Sequence, residues 1–440
     1  MFYRNTRYAF KLPVGAPSGI AGAIINAAAV PRYQLIRKGR TKMLRASGYL
    51  QHRLFDPQLY LAGLDRGRAS EQAALLASYP WFANPDVPEF DTKVHRRLKD
   101  WEAKYLDTLL GSWEGKPAED NATIAERASA AVEFQLKLEC EGLILAAPLT
   151  RTASGGLDVE MRWLDAGIEA AQKHRAAVPV FATVALTQDL LSSAEPEQNQ
   201  LLSALADQLT AREVAGVYLT MEQTVETDYV CRDERTLKSL LGFADDIVRI
   251  GRLRLVVNSL GSFGAVMSAA GAEIFASDFY RSARSLRLAE LIDKSGGTQM
   301  PRYFSPALLG DIGLENDLAN ISKAKMLKRV RLDTVAAQGL HDGLEDSHEI
   351  VFEWQHERQR VANAKAHYLE AMVRIGKTLS AMETAERVAF VHKWLKKTVK
   401  LANDLRGIGI SSGYYTELSH QQVWLNAYEW WMRRAGYLPA

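Results

Sequence analysis

The fold of this chain is decided by the runs GLILAAPL (142–149), VPVFATVAL (178–186), GVYLTME (216–222), LRLVVNS (253–259) and AEIFA (272–276). Successive runs start 36, 38, 37 and then only 19 residues apart, with amphipathic helical patterns between them. Short apolar runs that alternate with helices are typical of βαβ units, so the sequence predicts a parallel sheet. Ligand sites of such sheets lie at the carboxyl ends of the strands, which is where we look for functional residues.

The predicted fold is α/β: a TIM-type (β/α)8 barrel or a decorated variant of one, with a helical C-terminal domain. Residues 1–135 would hold a basic N-terminal segment, early barrel strands and a helical insertion. Residues 136–298 would form the βα-repeat core, and residues 299–440 a helical domain without strands. Further strands are expected at Arg7–Leu12 and Leu54–Ala62. Pro57 lies in the second of these and donates no ladder hydrogen bond, which favours an edge strand or a strand end.

Charge is unevenly distributed along the 440 residues, although the net charge is only +2. Residues 1–55 contain ten Lys and Arg and no Asp or Glu. The densest part of this segment consists of Arg32, Arg37, Lys38, Arg40, Lys42 and Arg45. Such a run attracts phosphate groups, so we expect it to bind nucleic acid or a phosphorylated ligand. The alternative is a solvated face that acidic residues balance elsewhere in the fold.

Cysteine usage and hydropathy indicate a cytoplasmic protein. Cys140 and Cys231 are the only cysteines and cannot build a disulfide framework, which favours a reducing compartment. The apolar segment 20–30 follows a basic start, but Pro13, Pro17 and the cationic sequence after Pro31 favour a folded segment over a signal peptide. No run of about 20 apolar residues occurs, so no transmembrane helix and no membrane partner are expected.

Several motifs of known chemistry are absent from the sequence. It has no Walker A sequence, no G-x-G-x-x-G after a strand, no H-E-x-x-H and no G-x-S-x-G. Their absence disfavours P-loop NTPases, Rossmann dehydrogenases, zincins and α/β-hydrolases. We expect neither a cofactor nor a bound metal.

Polar residues at the predicted strand ends are the candidate site. Glu222 and Asp278 are the carboxylates that could act as nucleophile or general base. The substrate-binding candidates are Asp56, Arg151, Asn258, Ser259, Gly261, Ser262, Arg281 and Arg284. The arginines could clamp a phosphate, and the Ser259–Gly264 loop opens a short helix whose amides could bind an anion. Ion pairing at the rim and tight packing of small residues are the structural alternatives.

The stretch AGAEIFASDFYRSAR (270–284) resembles the segment of tRNA-guanine transglycosylases in which a strand reads G-[small or apolar]-D-x-F-D and is followed by N-A-R. The resemblance implies a (β/α)8 barrel that exchanges a guanine-type base through a covalent aspartyl intermediate. Relatives in that family act on DNA in modification and phage-defence systems. The family's nucleophilic Asp falls on Ala276 here, and Asp278 is the nearest carboxylate. The family's zinc pattern of three close cysteines and a histidine is missing, which implies that zinc is lost and that catalysis is altered or absent.

Three functions follow as hypotheses. The first is a divergent base-exchange protein that acts on or binds nucleic acid. In it Asp278 is nucleophile or base, Glu222 and Asn258 read the base edge, and Arg281, Arg284 and the basic run hold phosphates. The second is a small-molecule enzyme that holds a phosphorylated ligand at Ser259–Gly264. The third is a non-catalytic subunit that binds nucleic acid or assembles with partner proteins.

Overall fold

The computed structural model of the protein describes residues 1–5, 19–30, 32, 35, 50, 52–83, 107–151, 157–195, 199–224, 229–292, 302–355, 357–413 and 416–439. The basic residues Arg37, Lys38, Arg40, Lys42 and Arg45 and the strand predicted at Arg7–Leu12 lie outside these ranges.

A parallel sheet of eight strands forms the centre of the molecule. Its strands are β1 (Phe2–Asn5), β2 (Gly22–Asn26), β3 (His52–Asp56), β4 (Leu143–Ile144), β5 (Val180–Thr187), β6 (Gly216–Glu222), β7 (Arg254–Asn258) and β8 (Ile274–Ser277). They pair in the order β3-β2-β1-β8-β7-β6-β5-β4, and every described pair is parallel. The sheet is strongly curled. This is shown by the Tyr218 hydroxyl of β6, which donates a 2.6 Å hydrogen bond to Asp56 at the end of β3, although the two strands are not neighbours in the sheet.

The prediction of a TIM-type (β/α)8 barrel, or a decorated variant of one, is wrong, because the structure shows no closed eight-stranded barrel. The ladder ends at β3 and β4, and no ladder joins these two strands in the described part of the chain. Side chains take the place of that pairing. The amide group of Gln135 bonds both the N–H and the C=O of Ile144, each at 2.8 Å, and the Glu141 carboxylate accepts from the Arg53 amide at 2.6 Å. A single backbone bond, from Glu141 N to Arg53 O at 3.1 Å, links the two edges.

The five apolar runs that predicted the sheet are confirmed as β4 to β8, and the short last interval contains the expected short helix, Phe263–Met267. The sequence pattern did not predict β1 and β2. The run predicted at Leu54–Ala62 is a strand only as far as Asp56. Pro57 follows directly after this edge strand, in agreement with the expectation that its missing N–H would place it at an edge or a strand end.

Helices cover the sheet and build the C-terminal region. In chain order they are α1 (Ser70–Ala77), α2 (Asn121–Lys137), α3 (Asp158–Lys173), α4 (Gln188–Ser192), α5 (Gln200–Thr210), α6 (Glu234–Asp245), α7 (Phe263–Met267), α8 (Ala319–Lys323), α9 (Leu327–Val330), α10 (Gln338–Asp346), α11 (Phe352–Gln355), α12 (Glu357–Ser380), α13 (Thr384–Gly407) and α14 (Gln421–Arg434). The side chains of Asp120, Thr187, Asn199 and Asp233 cap α2, α4, α5 and α6 by accepting from backbone amides in the first turn.

The C-terminal region is mainly helical but not free of strands. An antiparallel hairpin, β9 (Arg302–Ser305) and β10 (Gly310–Gly313), corrects the expectation that strands end near residue 299. Trp354, Trp424 and Trp431 are buried, so these aromatic residues belong to the core. Among the described residues, no helix is both long enough and apolar enough to cross a membrane.

Candidate functional site

Polar side chains gather inside the carboxyl end of the curled sheet. Residues paired in register on adjacent parallel strands face the same side of the sheet, and side chains alternate along each strand. Because Tyr218 and Asp56 meet across the interior, their register partners and alternate neighbours also face inward. The inward set is Asn26, Asp56, Thr183, Tyr218, Thr220, Glu222, Asn258 and Ala276. The position that matches the family's nucleophile, Ala276, therefore faces the interior but carries no carboxylate.

Asp56 is the centre of a buried hydrogen-bond network. Its Oδ2 atom accepts from the hydroxyls of Tyr60 and Tyr218, each at 2.6 Å, and its Oδ1 atom accepts from the Gln58 amide at 2.9 Å. The Asn258 amide in turn donates to the Tyr218 hydroxyl. Three donors around one carboxylate form the charge-assisted bonds that hold such a group in a fixed position. The structure thus joins two residues that the sequence predicted, Asp56 and Asn258, through a tyrosine that it did not.

Several buried polar atoms close to this network have no hydrogen-bond partner among the residues that the structure describes. They are both amide atoms of Asn26, the Thr220 hydroxyl, Oε1 of Gln223, Oδ1 of Asn258 and the Ser259 hydroxyl. A buried polar group without a protein partner costs free energy unless an ordered water, an ion or a ligand forms a hydrogen bond to it. Their concentration at one end of the sheet therefore identifies this end as the candidate binding site.

A cavity of about 210 Å³ opens beside Asn26 and Gln58. Its polar lining is made by Asn26, Gln58, Gln72, Tyr280, Ser282, Ser285, Arg287 and Glu290. Unpartnered atoms point to this lining as well: Oε1 of Gln72, Oγ of Ser285 and Oε2 of Glu290 bond to no described residue. The backbone of Gln58 is left-handed, with φ of 55°, and its Oε1 atom accepts from the Ala28 amide at 2.8 Å. Such a conformation is unfavourable for a residue with a side chain and is often found at functional sites.

One segment, residues 284–291, crosses the carboxyl end of the sheet, and we call it the strap. It meets the loop after β7 where Gly261 N donates to Arg284 O at 3.0 Å, and it meets the end of β6 where Gln223 N donates to Leu286 O at 2.8 Å. Its far end reaches Arg68, which donates to Ala289 O at 3.2 Å. The strap lines the cavity with Leu286 and Arg287, whereas Glu222, which pairs with Leu286, does not line it.

Glu222 lies at the end of β6, half-buried beneath the strap. Burial raises the pKa of its carboxyl group above the ordinary value of 4.5, and the nearby Asp189 adds to this effect. The positive charge of Arg151 and the Leu288 amide act in the opposite direction. A carboxyl group with a raised pKa keeps its proton to a higher pH than an ordinary one, which makes Glu222 a candidate for proton transfer.

Asp278 follows β8 and is buried on the side of the C-terminal region. Its Oδ1 atom accepts from the Tyr280 amide at 2.8 Å. Its charge contributes, after burial, to the raised pKa of Tyr368 in α12, whose hydroxyl bonds Ser277 at 2.6 Å. Asp278, Glu222 and Arg151 are all absent from the residues that line the 210 Å³ cavity. Glu222 and Arg151 interact with each other, but the structure does not bring Asp278 to the same cavity.

The predicted anion-binding loop is covered by the rest of the fold. The amides of Gly261, Phe263 and Gly264 each donate to a backbone carbonyl, and the Ser262 hydroxyl donates to Leu309 O at 2.7 Å. Ser259 is fully buried and left-handed, with φ of 63°. This bonding gives the loop a structural role and provides no observation in favour of a phosphate at Ser259–Gly264.

Arg281 and Arg284 each lie beside a buried carboxylate. Arg284 Nη1 donates to both oxygens of Asp311 at 3.0 Å, and Arg281 Nε donates to Glu417 at 2.8 Å. Burial alone would raise the pKa of Asp311, but the charges of Arg284 and Arg281 outweigh it and lower that pKa. These ion pairs attach the segment after β8 to the C-terminal region, and the phosphate-binding role of the two arginines stays a prediction.

Only Arg32 of the basic run is described. It is half-buried, and its amide lies 3.4 Å from the Ser78 hydroxyl. No group of three or more His, Cys, Asp or Glu that could hold a metal ion occurs within the described ranges.

The sequence-based candidates did not include Asn26, Gln72, Ser285, Arg287 or Glu290. A signal for the polar interior was nevertheless present, because Tyr218, Thr220 and Glu222 alternate with apolar residues in β6, which is the period of one strand face. No protein-family model matches this chain, and no curated protein matches it at a significant level.

Proposed function

We propose that this chain is a divergent base-exchange protein that binds nucleic acid and takes one base into the cavity at the carboxyl end of the sheet. The observation that carries the proposal is the set of unpartnered polar atoms of Asn26, Gln72, Ser285 and Glu290 around that cavity. A small polar cavity with unused donors and acceptors is a site for a ligand that has both.

The lining of the cavity suits a heterocyclic base. Amide side chains present a donor and an acceptor side by side, and the edge of a base also carries donors and acceptors next to each other. Leu61, Leu286 and Leu291 also line the cavity and offer apolar surface for the faces of a ring. The volume of about 210 Å³ is smaller than the roughly 300–1,000 Å³ of pockets for drug-sized ligands, in agreement with a ligand of base size.

In the proposed exchange Asp278 takes the place of the family's nucleophilic aspartate, and Glu222 transfers the proton. Neither carboxyl group lines the cavity in this structure, so the exchange requires a rearrangement that brings both to the bound base. An oxygen of Asp278 forms a bond to C1′ of the sugar while the C1′–N bond breaks. The electron pair goes to the departing base, which takes a proton from the Glu222 carboxyl group. The incoming base then returns a proton to Glu222, and its nitrogen displaces Asp278 from C1′. The raised pKa of Glu222 supports the proton-transfer role.

The remaining predicted residues would position the substrate. Arg151, close to Glu222, and the basic run that starts at Arg32 would hold phosphates, while Asn258 would read the base edge together with Asn26. Entry of a nucleotide to Glu222 requires the strap to move, because the Leu286 backbone pairs with β6 directly beside this residue.

The test is incorporation of radiolabelled guanine into unlabelled RNA and, separately, into DNA. The wild-type chain is expected to give saturable incorporation into one of the two. Asp278→Ala should abolish it, and Asn26→Leu should lower it about tenfold or more, since a lost hydrogen bond to a base costs about 1–3 kcal/mol. Lys377→Ala, on the opposite end of the sheet, is the control and should keep full incorporation.

Two outcomes would contradict the proposal. Incorporation that is unchanged in Asp278→Ala removes this residue from the mechanism. No incorporation by the wild type, combined with nucleic-acid binding that depends on salt, would favour the non-catalytic binding subunit instead.

A further inference from the structure

A row of four lysines occupies one face of the 24-residue helix α13 (Thr384–Gly407). Lys393, Lys396, Lys397 and Lys400 follow the i, i+3, i+4, i+7 spacing, which places them within an arc of about 100° on an α-helix. All four side chains are exposed. We call this set the lysine face.

The opposite side of α13 is the part that packs into the protein. Val388, Val391, Leu395, Ala402 and Leu405 are buried there. The helix is therefore held with the lysine face outward, and its apolar side is not available to enter a membrane. A partner that binds this face must recognise it mainly by charge.

The lysine face is only weakly neutralised by its own protein. Lys396 Nζ lies 3.7 Å from Glu429 of α14, but the same Glu429 oxygen already accepts from His392 at 2.8 Å. No carboxylate of the described chain lies within 4 Å of the other three ammonium groups. Two carboxylates share the face. Glu386 lies about two turns before Lys393, and Asp404 lies one turn after Lys400 and pairs with Arg329 at 2.5 Å. The net charge of the face is thus clearly positive.

An additional cation and an aromatic ring border the lysine face. Arg433 of α14 is exposed and lies close enough to Glu429 to contribute, after the His392 hydrogen bond, to the lowered pKa of that carboxyl group. Phe390, one turn before Lys393, is 37% exposed, and its ring centroid lies 6.1 Å from that of Trp394. An exposed aromatic ring beside lysines can stack on a base of a single strand.

We infer that the lysine face binds the phosphate backbone of a nucleic-acid strand. Lys393, Lys397 and Lys400 place positive charges about 4.5–6 Å apart along the helix, so that one strand can contact more than one of them. The inference rests on the proposed function only in its choice of nucleic acid as the partner.

The test is fluorescence anisotropy of the full chain with a labelled single-stranded oligonucleotide of about 20 nucleotides, titrated at several salt concentrations. The variant Lys393→Ala/Lys397→Ala/Lys400→Ala should weaken binding at least tenfold. Each lysine that releases counterions from single strands contributes about 0.7 to the slope of log K against log salt, so the slope should fall by about 2. Alanine favours helix, so α13 should stay folded, which circular dichroism checks.

The matched control is Lys323→Ala/Lys325→Ala/Lys328→Ala, which removes three exposed lysines elsewhere in the C-terminal region. It should keep both the affinity and the slope, and the arginine version of the lysine-face variant should also keep them. Equal losses in both alanine variants, or an unchanged slope in the lysine-face variant, would overturn the inference. Asn26→Leu separates it from the proposed function, because this variant should lose base incorporation but keep the salt slope.

Discussion

The two ends of the curled sheet both hold a cavity, but they differ in how their polar groups are satisfied. The cavity at the amino end is the larger, about 440 Å³ against about 210 Å³. Two arginines that line it have hydrogen-bond partners within the protein. Arg254 pairs with Glu273 at 2.6 Å, and Arg387 donates to three backbone carbonyls. No residue that lines it has a buried unpartnered side-chain atom in the part of the chain that the structure describes.

The carboxyl end shows the opposite pattern, with a smaller cavity and many polar atoms that lack a protein partner. Cavity size alone would select the amino end as the binding site. Unused hydrogen-bonding capacity selects the carboxyl end, where the ligand sites of parallel sheets are found. We therefore assign the candidate site from the unpartnered polar groups and not from the cavity volume.

The largest difference in unfolding free energy is expected between two variants, each of which replaces an arginine at one end of the sheet. Arg284→Met removes the closest cation of the buried Asp311 and leaves Arg281 at 3.8 Å and the charge of Arg302, and breaking a buried ion pair costs about 3–5 kcal/mol of unfolding free energy. Arg254→Met breaks a pair that is nearly half exposed and should cost about 0–1 kcal/mol. Urea denaturation of both variants measures the difference. Equal losses would show that the two ends are stabilised in the same way.

The next effect concerns the network around Asp56. Asp56→Ala removes the acceptor of Tyr60, Tyr218 and the Gln58 amide, and should lower the unfolding free energy by about 3 kcal/mol. Tyr218→Phe removes one of these donors, leaves the carboxylate two others and takes the acceptor from the Asn258 amide, so it should cost about 1–2 kcal/mol. If Tyr218→Phe costs as much as Asp56→Ala, then the tyrosine and not the carboxylate holds the network.

A smaller effect of opposite sign is expected for an unpartnered amide. Asn26→Leu removes two buried polar atoms that have no described partner, and should raise the unfolding free energy by about 1 kcal/mol while base binding is lost. Gln135→Leu is the matched control, because both amide atoms of Gln135 bond Ile144, and it should lower stability by about 2 kcal/mol. Destabilisation by Asn26→Leu would show that Asn26 has a structural role.

The smallest effect is the pH dependence that Glu222 contributes. Its pKa is raised in the folded chain, so the folded state holds a proton more tightly than the unfolded state. Its contribution to stability is full below the ordinary pKa of 4.5 and is lost as pH rises through the raised value. Glu222→Gln should therefore gain stability relative to wild type as pH rises, in thermal denaturation at a series of pH values.

Arg151→Ala should raise the pKa of Glu222 further, because the positive charge of Arg151 opposes the rise in that pKa. The pH range over which the chain loses the Glu222 contribution to stability should then extend to higher pH. A difference between Glu222→Gln and wild type that grows towards acidic pH would contradict the predicted sign.

The sequence predicted the repeating half of the sheet and both edge strands, β3 and β4, but not the N-terminal strands β1 and β2. Strands β4 to β8 are long-range partners whose apolar runs are visible locally, whereas β1 and β2 lie in a basic segment without a repeating pattern. At the open edge the Gln135 amide, and not β3, bonds the backbone of Ile144. A glutamine in a helix gives no signal of such a contact in the sequence.

The residues of the candidate site also fall into those that the sequence predicted and those that it did not. Asp56, Asn258 and Glu222 could be predicted because they end strands, and strand ends meet at one edge of a parallel sheet. Gln72 and Ser285 could not, since α1 and the strap reach the cavity only through the tertiary path of the chain. Local patterns encode strands, but the course of a loop across their ends is set by packing.

The most direct test of the account is equilibrium dialysis of radiolabelled guanine against the wild-type chain, Asn26→Leu and Lys377→Ala. Lys377 lines the amino-end cavity, so the two variants probe the two ends separately. We expect one saturable guanine site per chain, which Asn26→Leu eliminates and Lys377→Ala preserves. Binding that survives Asn26→Leu and is lost in Lys377→Ala would place the site at the amino end and contradict the central claim.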